Sequence, residues 1–415
     1  MDILRIATAG SVDDGKSTLI GRLLFETKSI TNDKLVAIEA ASQRRGLDFL
    51  DLSLLTDGLI AEREQGITID VANIYFNTAK RKYIIADTPG HFEYTRNMIT
   101  GASNVDLTII LIDARNGVVE QTRRHFFLTS LLKIKNVVVV VNKMDLVDFS
   151  QARFEEIKDS FNEIASKIEY DVSSIQFVPL SSLFGDNLSS KSVKSPWYEG
   201  KALLEILEET NINSDGNSKP ARFPVQSVIR PKTEQLHDYR GYAGRIASGV
   251  FKVGDEIIAL PSNQTSRIKT IEKFGTELDS ASTKESVVIT LENDIDISRG
   301  NLIARTDNEP LSRKEFSAQV CWLENGSLKA GKNYLLQHGI NRVRTKVSFI
   351  NNKLDINTFD LIEEVEELKL NEIGSVNFRV AAPIFADIYN ENPKNGAFIL
   401  IDEQTNNTVG VGLVC

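Results

Sequence analysis

The chain has 415 residues, enough for two or three domains with separate cores. Its 41% apolar and 25% charged residues are those of an ordinary globular protein, and a formal net charge of −9 argues against a broad nucleic-acid footprint. The two cysteines, Cys321 and Cys415, exclude a disulfide framework or a cysteine metal cluster. No apolar run approaches the roughly 20 residues of a membrane span, and no basic segment with an apolar core opens the chain, so a cytoplasmic location is expected.

From residue 1 to about 210, apolar strand patterns alternate with helical ones. Strands are predicted over 3–9, 67–76, 81–87, 107–113, 136–141 and 175–179, and helices over 15–25, 33–43, 121–132 and 154–168. That alternation implies βαβ units, a mostly parallel sheet with flanking helices, and a site built from loops at the carboxyl ends of its strands. The run Val137 to Val141 suits a strand covered on both faces. A polar stretch over 211–220 reads as a linker. Beyond it, short β-branched segments over 225–229, 243–251, 256–260, 266–274 and 286–291 are separated by turn signals at 253–255 and 261–263, the pattern of a small all-β barrel. A second such set runs from 316 to 414, with Asn395-Gly396 expected to mark a tight hairpin turn. The expected organisation is thus an α/β domain over 1–212 and two β-barrel domains over 220–307 and 308–415.

The first chemistry lies in Gly10-Ser11-Val12-Asp13-Asp14-Gly15-Lys16-Ser17, which fits the P-loop pattern G-x-x-x-x-G-K-[ST] between an apolar strand and a helix starting at Lys16. A phosphate chain needs converging backbone N–H donors with no side chains in the way, and the helix start adds the positive end of its dipole. Lys16 can reach β- and γ-phosphate oxygens, and the Ser17 hydroxyl is placed to ligate Mg²⁺.

Four further elements accompany it along the chain. Asp87-Thr88-Pro89-Gly90 closes a strand, with the acid placed to hold Mg²⁺ through water and the Gly90 N–H to sense a γ-phosphate. Upstream, Thr68 in the run from Glu62 to Ile69 can complete the metal shell. Asn142-Lys143-Met144-Asp145 follows the valine strand. The Asp145 carboxylate can accept guanine N1–H and N2–H₂, Asn142 braces the loop, and the Lys143 stem can lie over the base. Ser181-Ser182-Leu183 is placed to offer a backbone N–H to guanine O6. Each tetrapeptide alone is an ordinary strand-end turn; their joint order points to a guanine-nucleotide site. His91, directly after that DTPG turn, is read as the catalytic residue that orients the attacking water, because phosphoryl transfer is catalysed by positioning and electrostatics. His125, His237 and His338 are read as structural.

With these residues in hand, EREQGITID, DTPGH, TRNMITGAS and NKMDLVD resemble the translational-type GTPases. More narrowly, SVDDGKSTLIGRLL, IDARNGVVEQTRRH, RFPVQ with RGYAGRIASG, ENDIDISRGNL and GAFILIDEQTNNTVGVGLV resemble the GTP-binding large subunits of bacterial sulfate adenylyltransferase (ATP sulfurylase). The resemblance spans essentially the whole chain. It implies phosphate contacts from Asp13 to Thr18, Mg²⁺ at Ser17 and Thr68, γ-phosphate sensing at Gly90 and water orientation at His91, with Val12 and Ile67 as that histidine's apolar neighbours. It also implies guanine recognition by Asn142, Lys143, Asp145, Ser181 and Ser182. Separately, an acid lying so close to Lys16 leads us to expect that Asp13 helps hold a monovalent cation beside the β- and γ-phosphates. The sequence departs from the family pattern at Phe92, where a carboxylate is usual beside the histidine, and no kinase activity on adenylyl sulfate is expected of the residues up to Cys415.

The implied activity is GTP hydrolysis that drives synthesis of adenylyl sulfate from ATP and sulfate on a separate small catalytic subunit, in a heterodimer or higher assembly serving sulfate assimilation and cysteine biosynthesis. No nucleic acid or membrane partner is expected. An elongation- or release-factor-like GTPase shares the fold and every nucleotide residue, and a nucleotide-dependent scaffold with negligible turnover is a further alternative.

Overall fold

The computed structural model describes residues 2–44, 46, 49–55, 72–87, 105–168, 175–212, 215–231 and 239–415. The chain divides into two compact units: Met1–Ile212 with Asp355–Asp360, and Asn213–Leu354 with Leu361–Cys415.

In the first unit, β1 (Ile3–Ala9), β2 (Ala72–Asn77), β3 (Lys82–Asp87), β4 (Leu107–Asp113), β5 (Asn136–Asn142) and β6 (Ile175–Pro179) form one sheet in the order β2-β3-β1-β4-β5-β6. Only β2 runs antiparallel to its neighbour; the other pairings are parallel. β4 is buried along its whole length and β5 from Val137 onward, which is why both read as unbroken apolar runs. Among the described residues its helices are α1 (Lys16–Glu26), α2 (Asn32–Arg44), α3 (Glu120–Leu131), α4 (Gln151–Lys167) and α5 (Leu203–Glu209). Leu19, Ile20 and Leu23 put one face of α1 into a core with Leu4, Ile6, Ile85, Ile109 and Val140. α4 starts where predicted in kind but three residues earlier, because the Ser150 side chain accepts the Arg153 N–H and caps its first turn. Such a cap is worth about 1 kcal/mol.

The sheet register positions the chemistry. Thr8 pairs with Asp87 and Asp113 with Asn142, so four polar residues end adjacent strands at one edge. β1, flanked by β3 on one side and β4 on the other, lies where the strand order reverses, the place where open α/β sheets hold ligands.

The second unit contains two closed antiparallel barrels of six strands. In the first, Glu256–Leu260, Leu302–Arg305, Arg222–Ile229, Gly241–Arg245, Ser286–Leu291 and Gln264–Lys273 follow one another around the wall, and the last pairs back onto the first. In the second the order is Asn333–His338, Ala397–Ile401, Thr408–Val414, Ser312–Trp322, Ile373–Phe385 and Asn341–Leu354, closed in the same way. Closure removes the exposed edges that an open sheet of this size would present. Phe223, Phe251 and Ile289 fill one barrel, and Phe316, Trp322, Phe378 and Phe398 the other.

Two sequence expectations are corrected here. The predicted strand over 243–251 is split into Gly241–Arg245 and Val250–Lys252. Gly249, at φ 74°, turns the chain so closely over Ala221 that a Cβ would lie 2.4 Å from its Cα. Asn395-Gly396 is not a tight hairpin: Ile373–Phe385 does not pair with Ala397–Ile401, which lies between Asn333–His338 and Thr408–Val414. Asn395 is instead buried and donates through Nδ2 to Asp387 Oδ2 (3.0 Å) and the Phe385 carbonyl (3.0 Å). Asp387 in turn makes a two-toothed ion pair with Arg222, Nη2 to Oδ1 at 2.8 Å and Nε to Oδ2 at 3.0 Å, and accepts from Asn392 at 2.8 Å. This buried polar network joins the opening strand of one barrel to the other barrel.

Candidate nucleotide site

The segment from Gly10 to Gly15 carries the chain from β1 into α1. Gly15 stands at the helix N-cap with φ 95°, and a Cβ there would lie 2.4 Å from Asn142 Nδ2, so both backbone angle and space demand glycine. Asp13 shares the left-handed region at φ 65° and points its side chain to solvent. Without a side chain at the N-cap, the first-turn amides of Lys16, Ser17 and Thr18 stay turned towards the loop, where the helix dipole is positive.

Two charged side chains hold the loop in shape. Asp14, only 4% exposed, accepts the Ser11 N–H at 2.5 Å. Burial raises its carboxyl above the usual range, against the pull of Lys16. Lys16 is buried as well and donates through Nζ to the carbonyls of Gly10 (2.9 Å) and Ser11 (2.7 Å). Desolvation lowers its pKa although Asp87, Asp14 and Asp13 favour the charge. An ammonium has three donors, so one remains for a ligand. Val12 lies half-buried beside them.

Across the strand ends, Asp87 is buried and accepts the Thr8 hydroxyl at 3.1 Å. The Asp87 carboxylate and the Ser17 hydroxyl are hard oxygen donors, the chemistry that Mg²⁺ selects.

Asn142 ties the loops together. Its Nδ2 donates to the Asp14 carbonyl at 2.7 Å, and its Oδ1 accepts both the N–H (3.0 Å) and the hydroxyl (2.8 Å) of Ser182. One side chain, 1% exposed, thereby spans the glycine loop, the β5 terminus and the turn after β6. Lys143 follows at φ 60°, with Nζ 3.0 Å from Asp113 Oδ2. Met144 is buried and its N–H reaches the Leu180 carbonyl at 3.2 Å, anchoring a short 3₁₀ turn, Met144–Val147, that presents a half-buried Asp145. The Ser181 N–H is spent on the Asp186 carbonyl at 3.3 Å, and Arg22 from α1 donates to the carbonyls of Ser182 and Leu183.

The structure therefore gathers Gly10 to Thr18, Asp87, Asn142 to Asp145 and Ser181 to Leu183 at one sheet edge. Thr68, Thr88, Pro89, Gly90 and His91, with Ile67, Phe92 and His237, lie outside the described residues. His125, on α3, is buried; burial brings its pKa down to about 3, and its Nε2 lies 2.9 Å from Gln121 Nε2. The sequence reading passed over Thr8, Arg22, Asp113 and Arg115. Asp113 was open to discovery, because it ends an apolar strand as Asp87 does; Arg22 was not, since its partners lie 160 residues away.

Comparison with known proteins follows the same lines. Residues 1–213 match the model of the elongation factor Tu GTP binding domain, and residues 315–415 that of the GTP-eEF1A C-terminal domain-like family. Sulfate adenylyltransferase subunit 1 of Bacteroides fragilis is 50% identical over 415 residues, covering 100% of this chain and 86% of the relative. The protein of the same name from Psychromonas ingrahamii is 51% identical over 416 residues, covering 100% and 87%. The bifunctional enzyme CysN/CysC of Mycobacterium tuberculosis is 50% identical over 413 residues, 99% of this chain and 67% of the relative. A glycine loop, its buried lysine and the asparagine that joins them to the turn after β6 thus sit in a chain that belongs to the sulfate adenylyltransferase subunit 1 family, with an elongation factor Tu-type GTP-binding domain.

Proposed function

We propose that the chain is the GTP-hydrolysing subunit of a sulfate adenylyltransferase, coupling hydrolysis to adenylyl sulfate formation on a separate small catalytic subunit in the cytoplasm. The observation that supports the reading is the Asn142 brace, which ties the glycine loop, the end of β5 and the turn after β6 into one frame. The domain limits 1–212, 220–307 and 308–415 belong to the same proposal.

Within it, the amides from Asp13 to Thr18 take the phosphates and the third Nζ donor of Lys16 goes to the β- and γ-phosphate oxygens, whose charge opposes the burial that depresses the ammonium. Ser17, Thr68 and, through water, Asp87 would hold Mg²⁺, which supplies neutralisation of the triphosphate. Gly90 senses the γ-phosphate and His91 orients the attacking water. Asp145 reads N1–H and N2–H₂ of guanine. The amides of Ser181 and Ser182 are engaged by Asp186 and Asn142, so the contact to O6 falls to the Leu183 N–H.

Sulfate is a poor nucleophile, and its adenylyl anhydride lies uphill of its precursors. Hydrolysis can drive that step without touching it, provided the GTP- and GDP-bound forms differ in their affinity for two arrangements of the assembly. Among the described residues no helix is long and apolar enough to cross a membrane. The deciding experiment is co-purification with the small subunit followed by assay of adenylyl sulfate formation with and without GTP. Formation that ignores GTP, or GTP hydrolysis stimulated by ribosomes instead, would overturn the reading.

A further inference from the structure

Asp113 ends β4 opposite Asn142 and is 2% exposed. Its Oδ2 meets Lys143 Nζ at 3.0 Å and Arg115 Nη2 at 2.7 Å, while Oδ1 accepts Arg115 Nε at 3.1 Å and the Arg115 N–H at 2.9 Å. Burial pushes the carboxyl up, but the bonds from Arg115 and Lys143 overcome it and bring it to about 2, so the charge persists at any ordinary pH. Lys143 itself stands at φ 60°, a backbone setting that L side chains avoid, on a stem with four rotors. Left untethered, that stem would sample many positions over the pocket. Arg115 is half-exposed, and Asp13 of the glycine loop and Asp145 of the base-reading turn both lie within its electrostatic reach.

We propose that Asp113 is a positioning residue for base recognition: by gripping Lys143 Nζ it lays the lysine stem in one place across the purine face, while the Arg115 fork satisfies the rest of the buried carboxylate. The division of labour follows from geometry. A carboxylate has about four acceptor sites, and one ammonium cannot fill them; a planar guanidinium takes two in parallel and a backbone amide a third. Asp113 therefore contributes affinity for the base, whichever purine it is, and nothing for the phosphates. This inference rests on the guanine-site reading above.

The test separates base from phosphate. With the full chain, Asp113→Asn is expected to raise the Kd of GTP, GDP and inosine triphosphate by about tenfold each, the scale of one lost charge-assisted bond. Competition by Mg²⁺-tripolyphosphate, which has no base, should stay as in the unaltered protein. Lys143→Ala should show the same split, and adding Asp113→Asn to it should cost nothing further. Lys143→Ala alone keeps the question open to refutation if the buried aspartate variant fails to fold. Parallel weakening of tripolyphosphate, additive losses in the double variant, or unchanged GTP affinity would each overturn the proposal. If the unaltered chain binds no guanine nucleotide at all, it is the site reading that fails; if it binds GTP and the variants show no split, only the role of Asp113 fails.

Discussion

Truncating Asn142 tests the site at its narrowest point. In Asn142→Ala, the Asp14 carbonyl loses its donor at 2.7 Å, and the Ser182 N–H and hydroxyl lose their acceptor at 3.0 and 2.8 Å. The hydroxyl can rotate to another partner, but the two backbone groups cannot, and Asp14 and Ser182 are 4% and 2% exposed. A buried group left unpaired costs about 1–3 kcal/mol, so two give about 2–6 kcal/mol before relaxation. Water entering the vacated space recovers part of this, leaving about 3 kcal/mol, or roughly 100-fold in an equilibrium constant. Because the side chain joins the glycine loop to the turns proposed to read the base, GTP and GDP affinities should fall together by about that factor, and the midpoint of urea unfolding of the nucleotide-free chain should drop as well. Fluorescent-nucleotide titration and urea melts read the two effects. A Kd within threefold of the unaltered protein, with an unchanged midpoint, would refute the reasoning.

Other outcomes are expected on the same footing. Asp145→Asn should turn preference from GTP towards xanthosine triphosphate, since an amide pairs with the base carbonyl where the carboxylate accepted N–H donors; competition titrations with the two nucleotides check it. His91→Ala should slow single-turnover hydrolysis by about 100-fold or more while leaving GTP binding nearly intact. Loss of binding as well would make that residue structural. His125 is held neutral, with its pKa brought to about 3 from an unfolded value near 6.5. Between those values the unfolded chain binds one more proton than the folded one, so folding stability falls as pH drops below about 6.5, by about 1.4 kcal/mol per pH unit from this group. His125→Gln should flatten that slope by one proton between pH 6.5 and 5 in urea melts; an unaltered slope would contradict its burial in the neutral form.

What could be read from the residues was whatever depends on neighbours in sequence. The glycine loop, the valine strand and the turns at Gly254 and Asn263, both at positive φ, stand where local pattern put them. The errors arose where distant chain segments decide. Asn395-Gly396 has a strong hairpin signature, but the Asp387 carboxylate and the Phe385 carbonyl use the asparagine side chain, and Gly396 packs so close to Tyr389 that a Cβ would lie 2.5 Å from its Cα. Lys16 and Asp14 were visible as charges near a phosphate site. Their bonds to the Gly10 and Ser11 carbonyls and to the Ser11 N–H, which pre-shape the loop, were not, because they depend on how deeply the turn is buried. The contact between Asp113 and Lys143 is hidden in the sequence for a related reason: the lysine follows a different strand, and only the parallel register of β4 and β5 brings the two together.

The Arg222–Asp387 pair bears on how such a chain can be cut or recombined. The two residues are 165 positions apart, and each is almost wholly shielded from water. A fragment ending at residue 307 keeps the guanidinium without its counter-charge, and one beginning at 308 keeps the carboxylate alone. Stranding a shielded ion in this way typically costs about 3–5 kcal/mol, a large share of what holds a small barrel folded. Exchange of modules with a related protein should therefore succeed for the barrels as a tandem and fail for either one taken singly.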